Sequence, residues 1–197
     1  MYTLYYVPGA CSLATQVVIR ELGQDISLIN KNEVNDFSDI NPVGTVPVLV
    51  DNGFKIREGA AVMLYLLNKH PNRFLPEDSM ARTKATQDIM FANATMHPAY
   101  SRLFFIAGNM SDGEAKDQIF QSAALAINQL WAVVNDQLNE QPFLGGSNYS
   151  AADIMLTVYS RWGEHFPVDI HFGANVEKML ASIQELPSFR MAVAAEH

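Results

Sequence analysis

A single cysteine, Cys11, stands in the stretch YYVPGACSL at residues 5–13. It follows a short apolar run and a Pro-Gly turn, and it heads a helical pattern. A thiol at a helix N-terminus faces the positive end of the helix dipole and unpaired N–H groups, and both favour the thiolate. The same place suits any other anion, including the thiolate of a bound ligand. A free cysteine is equally often a small buried hydrophobe, and the stretch by itself leaves both readings open. Ser12, its neighbour, offers a hydroxyl to an anion or caps the helix; capping is the simpler reading.

Three other places carry chemistry. Val46-Pro47 opens a strand-like run. Proline has no ladder donor, so Pro47 belongs at a strand start or an edge, a place where a cis bond fits. On an open edge the Val46 backbone is free to pair with an extended peptide; the plain alternative is an ordinary strand start. Glu58-Gly59 heads a helix. A carboxylate beside free N–H groups suits a zwitterionic amino-acid head, the amides taking its carboxylate and Glu58 its ammonium, and plain N-capping is the competing reading. His97 precedes Pro98 within a helical pattern, where the proline predicts a kink or a loosened turn. The other histidines show no metal-ligand spacing with one another or with Cys11. No CxxC, HExxH, phosphate-binding glycine loop or GxSxG elbow is present, so neither a metal nor a nucleotide cofactor is expected. The Met and aromatic residues of the second half (Met90, Phe91, Met96, Tyr100, Phe104, Phe105, Trp162) are most simply core.

The elements that must position these residues alternate in type. YTLYYV (2–7) reads as a strand, 12–22 as a helix stopped by Gly23, and DISLIN (25–30) as a second strand. Residues 31–45 read as loop. VPVLV (46–50) and FKIR (54–57) form a hairpin around Asn52-Gly53, and 59–69 returns to helix. Strands joined through a helix lie parallel with a right-handed crossover. The polar, proline-bearing HPNRFLPEDS (70–79) is the expected domain boundary. Beyond it, helical patterns run at 80–107, 112–138, 150–166, 174–184 and 187–195. Ser111/Glu114 and Ser150/Asp153 fit capping boxes. AADIMLTVYSRW (151–162) is apolar nearly all round, which predicts a central buried helix.

Composition sets the limits. The 197 residues are 49% hydrophobic and 17% charged, an ordinary globular balance, with a formal net charge of −8. That charge argues against binding nucleic acid phosphates. No apolar run reaches the roughly 18 residues of a membrane span. One cysteine forms no internal disulfide. A soluble protein of a reducing cytoplasm is the expectation.

YYVPGACSLATQVVIRE, NPVGTVPVLV, EGAAVMLYL and YSAADIMLTVYSRW, in that order, resemble a cytosolic glutathione transferase, and PGACS looks like the bacterial beta class. The resemblance implies an α/β thioredoxin-like domain at 1–75 that binds glutathione. It implies an all-α domain at 81–197 that carries the electrophile site in a cleft between the domains. It further implies a homodimer that conjugates glutathione, as cosubstrate, to small hydrophobic electrophiles in detoxification. On the matching positions, Pro47 is the family's cis-proline, Val46 pairs with the cysteinyl part of glutathione, and Glu58 and Gly59 meet its γ-glutamyl end. Cys11, Ser12 and His97 become the catalytic candidates, and Tyr100 and Trp162 become cleft candidates. Asp153 matches a cap needed for folding. Thiol-disulfide reduction through Cys11, and non-catalytic binding, are the alternatives. Gly59 stands where the family usually has serine. The missing hydroxyl removes one donor, worth roughly 0.5–1.5 kcal/mol, or up to about 3 if the bond is to a charge. Pro98 stands where the class often has lysine, and Lys31 is the nearest match to a basic residue after the second strand.

Overall fold

In a computed structural model, residues 1–196 are described. The chain divides into two compact units, one of residues 1–87 together with the stretch from 184 onward, the other of residues 88–183. The division thus falls later than the expected 70–79 boundary, and the C-terminal stretch belongs with the first unit.

The first unit holds a four-stranded sheet of order β2-β1-β3-β4: β1 Tyr2–Tyr6, β2 Ile26–Asn30, β3 Val48–Asp51 and β4 Phe54–Arg57. β1 pairs parallel with β2 from Tyr2↔Ile26 to Tyr6↔Asn30. It pairs antiparallel with β3 through Leu4↔Leu49, and β3 with β4 through Leu49↔Ile56. The parallel pair is the one joined through a helix, α1 (Ser12–Glu21), as such a connection requires. Period-two alternation turns Tyr2, Leu4, Leu49 and Ile56 to one face. There they meet Ile19 of α1 and Val62 and Leu66 of α2 (Gly59–Lys69) in the core. β3 begins two residues later than the sequence pattern suggests, because Pro47 has no N–H for the ladder. The Val46-Pro47 bond is cis.

The last helix, α8 (Pro187–Ala194), packs on α1. It buries Phe189 and Ala192, and the Ser188 hydroxyl donates to Glu21 at 2.5 Å. Those contacts explain why the C-terminal stretch joins the first unit.

The second unit is helical. α3 (Ser79–Phe91), within which the division falls, runs into a wide π turn over residues 92–96, then into α4 (His97–Asn109). The helical pattern expected at 80–107 is thus two helices joined through the loosened turn that Pro98 predicts. Proline lacks the N–H that would bond back along the helix, and the wider turn takes up the loss. α5 (Glu114–Gln137), α6 (Ala151–Ser160) and α7 (Ala174–Gln184) follow. The Ser111/Glu114 capping box is not formed: Gly113 precedes α5 without a side-chain cap, and Asp112 instead pairs with Lys116 at 2.9 Å. The Ser150/Asp153 box is formed in both directions. α6 is buried at every residue, as its all-round apolar pattern requires.

Candidate functional site

β1 ends at Tyr6, and the chain then turns tightly, with Ala10 N–H donating to the Val7 carbonyl at 3.1 Å. Gly9 sits in that turn at φ +72°, a conformation that favours glycine. Cys11 follows as the residue before α1. Its Sγ donates to the Val46 carbonyl at 3.3 Å, so the turn and the cis-Pro47 loop meet at the thiol. Burial pushes the Cys11 thiol up to about 11, against a smaller pull downward from the backbone amides of residues 11 and 12. The amides at the helix end pull toward the thiolate, as the sequence pattern expects, and desolvation outweighs them. Ser12 is fully buried, and its hydroxyl is turned to the Val7 carbonyl at 3.5 Å. That orientation favours the structural reading of Ser12.

Lys31 donates through Nζ to the Gly44 carbonyl and lies over the Phe37 ring at 5.5 Å. It therefore braces the loop that delivers Val46. Asn41 holds the same loop from within, its amide donating to the Thr45 carbonyl at 2.8 Å. The sequence pattern named Lys31 only as a nearest match, and Asn41 only as part of the Asn41-Pro42-Val43-Gly44 loop signal.

Glu58 precedes α2 at φ +69°, an uncommon conformation for a non-glycine residue and one that clusters at functional positions. Its side chain does not cap α2 and is exposed. The first amides of α2 therefore have no cap from Glu58, and its carboxylate is open to solvent. That combination is what a zwitterionic head requires.

In the second unit, the His97 ring stands edge-on to Tyr159 and Trp162, with centroids 5.3 and 5.1 Å away. Burial lowers its pKa, so the ring is neutral at pH 7. The Ser101 hydroxyl lies 3.2 Å from Nδ1 and also donates to the His97 carbonyl at 3.0 Å. Tyr100 is fully buried, and its oxygen accepts the Trp131 indole N–H at 2.8 Å. Trp162 is 5% exposed, packed against Tyr100, Tyr159 and Phe104. Tyr100 and Trp162 thus line the interior of this unit. Met90, Phe104 and Phe105, expected in the core, are 41%, 47% and 65% exposed. A groove of about 590 Å³ between α4 and α5 is lined by Phe105, Ile106, Ile119, Ser101 and Arg102 among others, and neither Tyr100 nor Trp162 reaches it. Among the described residues no group of three His, Cys, Asp or Glu is placed to hold a metal ion. No described helix is long and apolar enough to cross a membrane.

Residues 10–74 match the family profile described as glutathione S-transferase, N-terminal domain. A Drosophila melanogaster relative, glutathione S-transferase D7, is 33% identical over 190 residues, covering 90% of this chain and 81% of its own. The solved beta-class glutathione S-transferase of Sphingomonas chungbukensis superposes with a TM-score of 0.85 at 27% identity, over 98% of each chain. A sphingomonad glutathione S-transferase complexed with glutathione gives 0.84 at 26% identity, again over 98% of each chain.

Proposed function

The chain belongs to the glutathione S-transferase family, and from that premise we propose how its residues divide the work of joining glutathione to a small apolar electrophile. The Val46 backbone pairs with the cysteinyl part of glutathione, as an extended peptide pairs with a strand edge. The first amides of α2, at Gly59, take the γ-glutamyl carboxylate, and Glu58 takes the ammonium. Cys11 keeps its proton and donates it as a hydrogen bond to the glutathione sulfur. Ser12, buried and turned to Val7, supports the turn. His97, a neutral imidazole, belongs to the catalytic group. Trp162 and Tyr100 belong to the electrophile side through the rings they pack. The protein acts as a cytoplasmic homodimer in detoxification, with glutathione as a cosubstrate and no prosthetic group.

The observation that supports this reading most is the Cys11 thiol held 3.3 Å from the Val46 carbonyl, beside the cis-Pro47 bond. It supports reading the turn as sulfur-handling and the Val46 edge as peptide-binding, both within the first unit. Glutathione's own thiol has a pKa near 8.5, and each unit by which it is lowered represents about 1.4 kcal/mol of thiolate stabilisation. A thiol-disulfide role for Cys11 is not favoured, because a nucleophilic thiol must ionise and burial keeps this one protonated. The test is turnover of a chlorinated nitroaromatic with glutathione. Conjugation above the uncatalysed rate is expected, and it should fall on Cys11→Ala. No turnover across several electrophiles, with no heat of glutathione binding, would overturn the proposal.

A further inference from the structure

Beyond the end of α8, the Glu196 side chain is buried in the first unit at 8% exposure. Its Oε2 accepts the Gly9 N–H at 2.8 Å, and its Oε1 accepts the Gln16 side-chain amide at 2.5 Å. These two partners stand on opposite sides of Cys11 along the chain. Gly9 belongs to the turn before it and Gln16 to the helix after it. In the Val7–Ala10 turn the closing bond uses the Ala10 N–H. The Gly9 N–H takes no part in that closure and needs an acceptor from elsewhere. Gln16 is fully buried, and its Oε1 has no hydrogen-bond partner. An unpaired buried oxygen costs free energy, and the charge-assisted bond from the same amide's N–H to a carboxylate is of the strong kind that offsets such a cost.

From this geometry we infer that Glu196 is a positioning residue for the reaction: one carboxylate fixes both the turn and the helix that flank Cys11, and so holds the thiol against the Val46 carbonyl. The inference rests on the reading of this loop as the sulfur-handling part of a glutathione transferase. Glu196 touches neither substrate nor the reacting sulfur, so it acts through Gly9 and Gln16. It also explains why α8, last in sequence, is built onto α1. The helix brings a carboxylate to a turn that has no acceptor of its own.

The test reads the thiol directly. Cys11 is the single cysteine of the chain, so alkylation by iodoacetamide, followed by intact mass, reports this one site. Glu196→Ala should alkylate about 10-fold faster than the native protein, the size expected from losing charge-assisted bonds. It should raise the glutathione KM more than it lowers kcat. Glu196→Gln, which keeps both bonds without the charge, should fall between Glu196→Ala and the native protein in both, since Gln16 can turn its amide to pair with the new side chain. Ser188→Ala, which breaks the α8 contact to Glu21 instead, is the control for general loosening and should leave alkylation unchanged. Alkylation of Glu196→Ala at the native rate overturns the inference, and so does equal acceleration by Ser188→Ala. Should Glu196→Ala not fold, Gln16→Met removes one arm alone: faster alkylation supports the inference and an unchanged rate overturns it. Because alkylation is measured without glutathione, the outcome is independent of whether any electrophile is turned over.

Discussion

The ionisation of Cys11 decides between a thiol that reacts and a thiol that donates. An ordinary cysteine here would titrate at 9.0, and burial moves Cys11 to about 11. At pH 7.5 an ordinary thiol of that kind is about 3% thiolate, while Cys11 is about 0.03%, a difference of about 100-fold. The Sγ–H donated to Val46 at 3.3 Å acts in the same direction, because it is a bond made only by the protonated form. Alkylation by iodoacetamide, measured from pH 7 to 11, should therefore run about 100-fold below a free cysteine at neutral pH and rise to a midpoint near 11. The linkage has a definite sign. The folded protein holds this proton more tightly than the unfolded chain, so the contribution to stability is whole below pH 9 and is lost as pH rises toward 11. The loss should reach about 3 kcal/mol, readable as a falling urea midpoint over that window, and Cys11→Ala should abolish that part of the fall. A midpoint at or below 9, with alkylation as fast as a free thiol, would refute the reasoning and return Cys11 to the nucleophile role.

Other perturbations test the remaining parts. Asp153 accepts from Leu144 N–H at 3.0 Å and from Ser150 N–H and Oγ at 2.7 Å each; Asp153→Ala strands two buried backbone donors and should cost about 2–6 kcal/mol in urea denaturation. Gly59→Ser should tighten glutathione by roughly 2- to 12-fold in calorimetry, the equivalent of one neutral hydrogen bond. Glu58→Gln should weaken glutathione by about 10-fold or more, since the partner is a charge, while an S-alkyl glutathione lacking the γ-glutamyl ammonium should bind both forms equally. Burial lowers the pKa of His97, so kcat/KM in the native protein should show no protonation limb assigned to His97 at or above pH 6.5, a point checked by comparing its pH profile with that of His97→Asn.

Much of the first unit was legible because its signals are local. Alternation in 2–7, helical spacing in 12–22 and the Asn52-Gly53 turn each lie within a few residues, and the elements agree with the structure to within two positions. The Ser150/Asp153 box is likewise local and is present. The failures share a cause, which is that the deciding partner is distant in sequence. Cys11 is held protonated by burial, and Val46 reaches it from 35 residues away; no N-terminal pattern carries that information. Glu196 meets Gly9 across 187 residues. Phe104 and Phe105 have core-like composition, yet both are exposed, because a helix pattern fixes spacing around the axis and not which side is covered. Pro98 signalled a break correctly, but whether it kinks one helix or opens a π turn depends on whether a wider bond is available, here His97 N–H to the Ala92 carbonyl.

The raised pKa of Cys11 has a use in the proposed reaction. Conjugation needs the glutathione sulfur ionised beside a group that stabilises it. Two thiols that share one proton leave it on the one with the higher pKa. With Cys11 at about 11 and the glutathione thiol near 8.5, the proton favours Cys11 by about 300-fold. A Cys11 tuned down by its helix end would compete for the negative charge and leave the ligand's sulfur protonated. Desolvation of the protein thiol therefore serves the ligand thiolate. The Val46 carbonyl serves as a resting acceptor for the Cys11 proton: it has a second lone pair for the ligand's amide. Binding of a peptide at Val46 then brings an anionic sulfur within reach of a donor already directed at that edge.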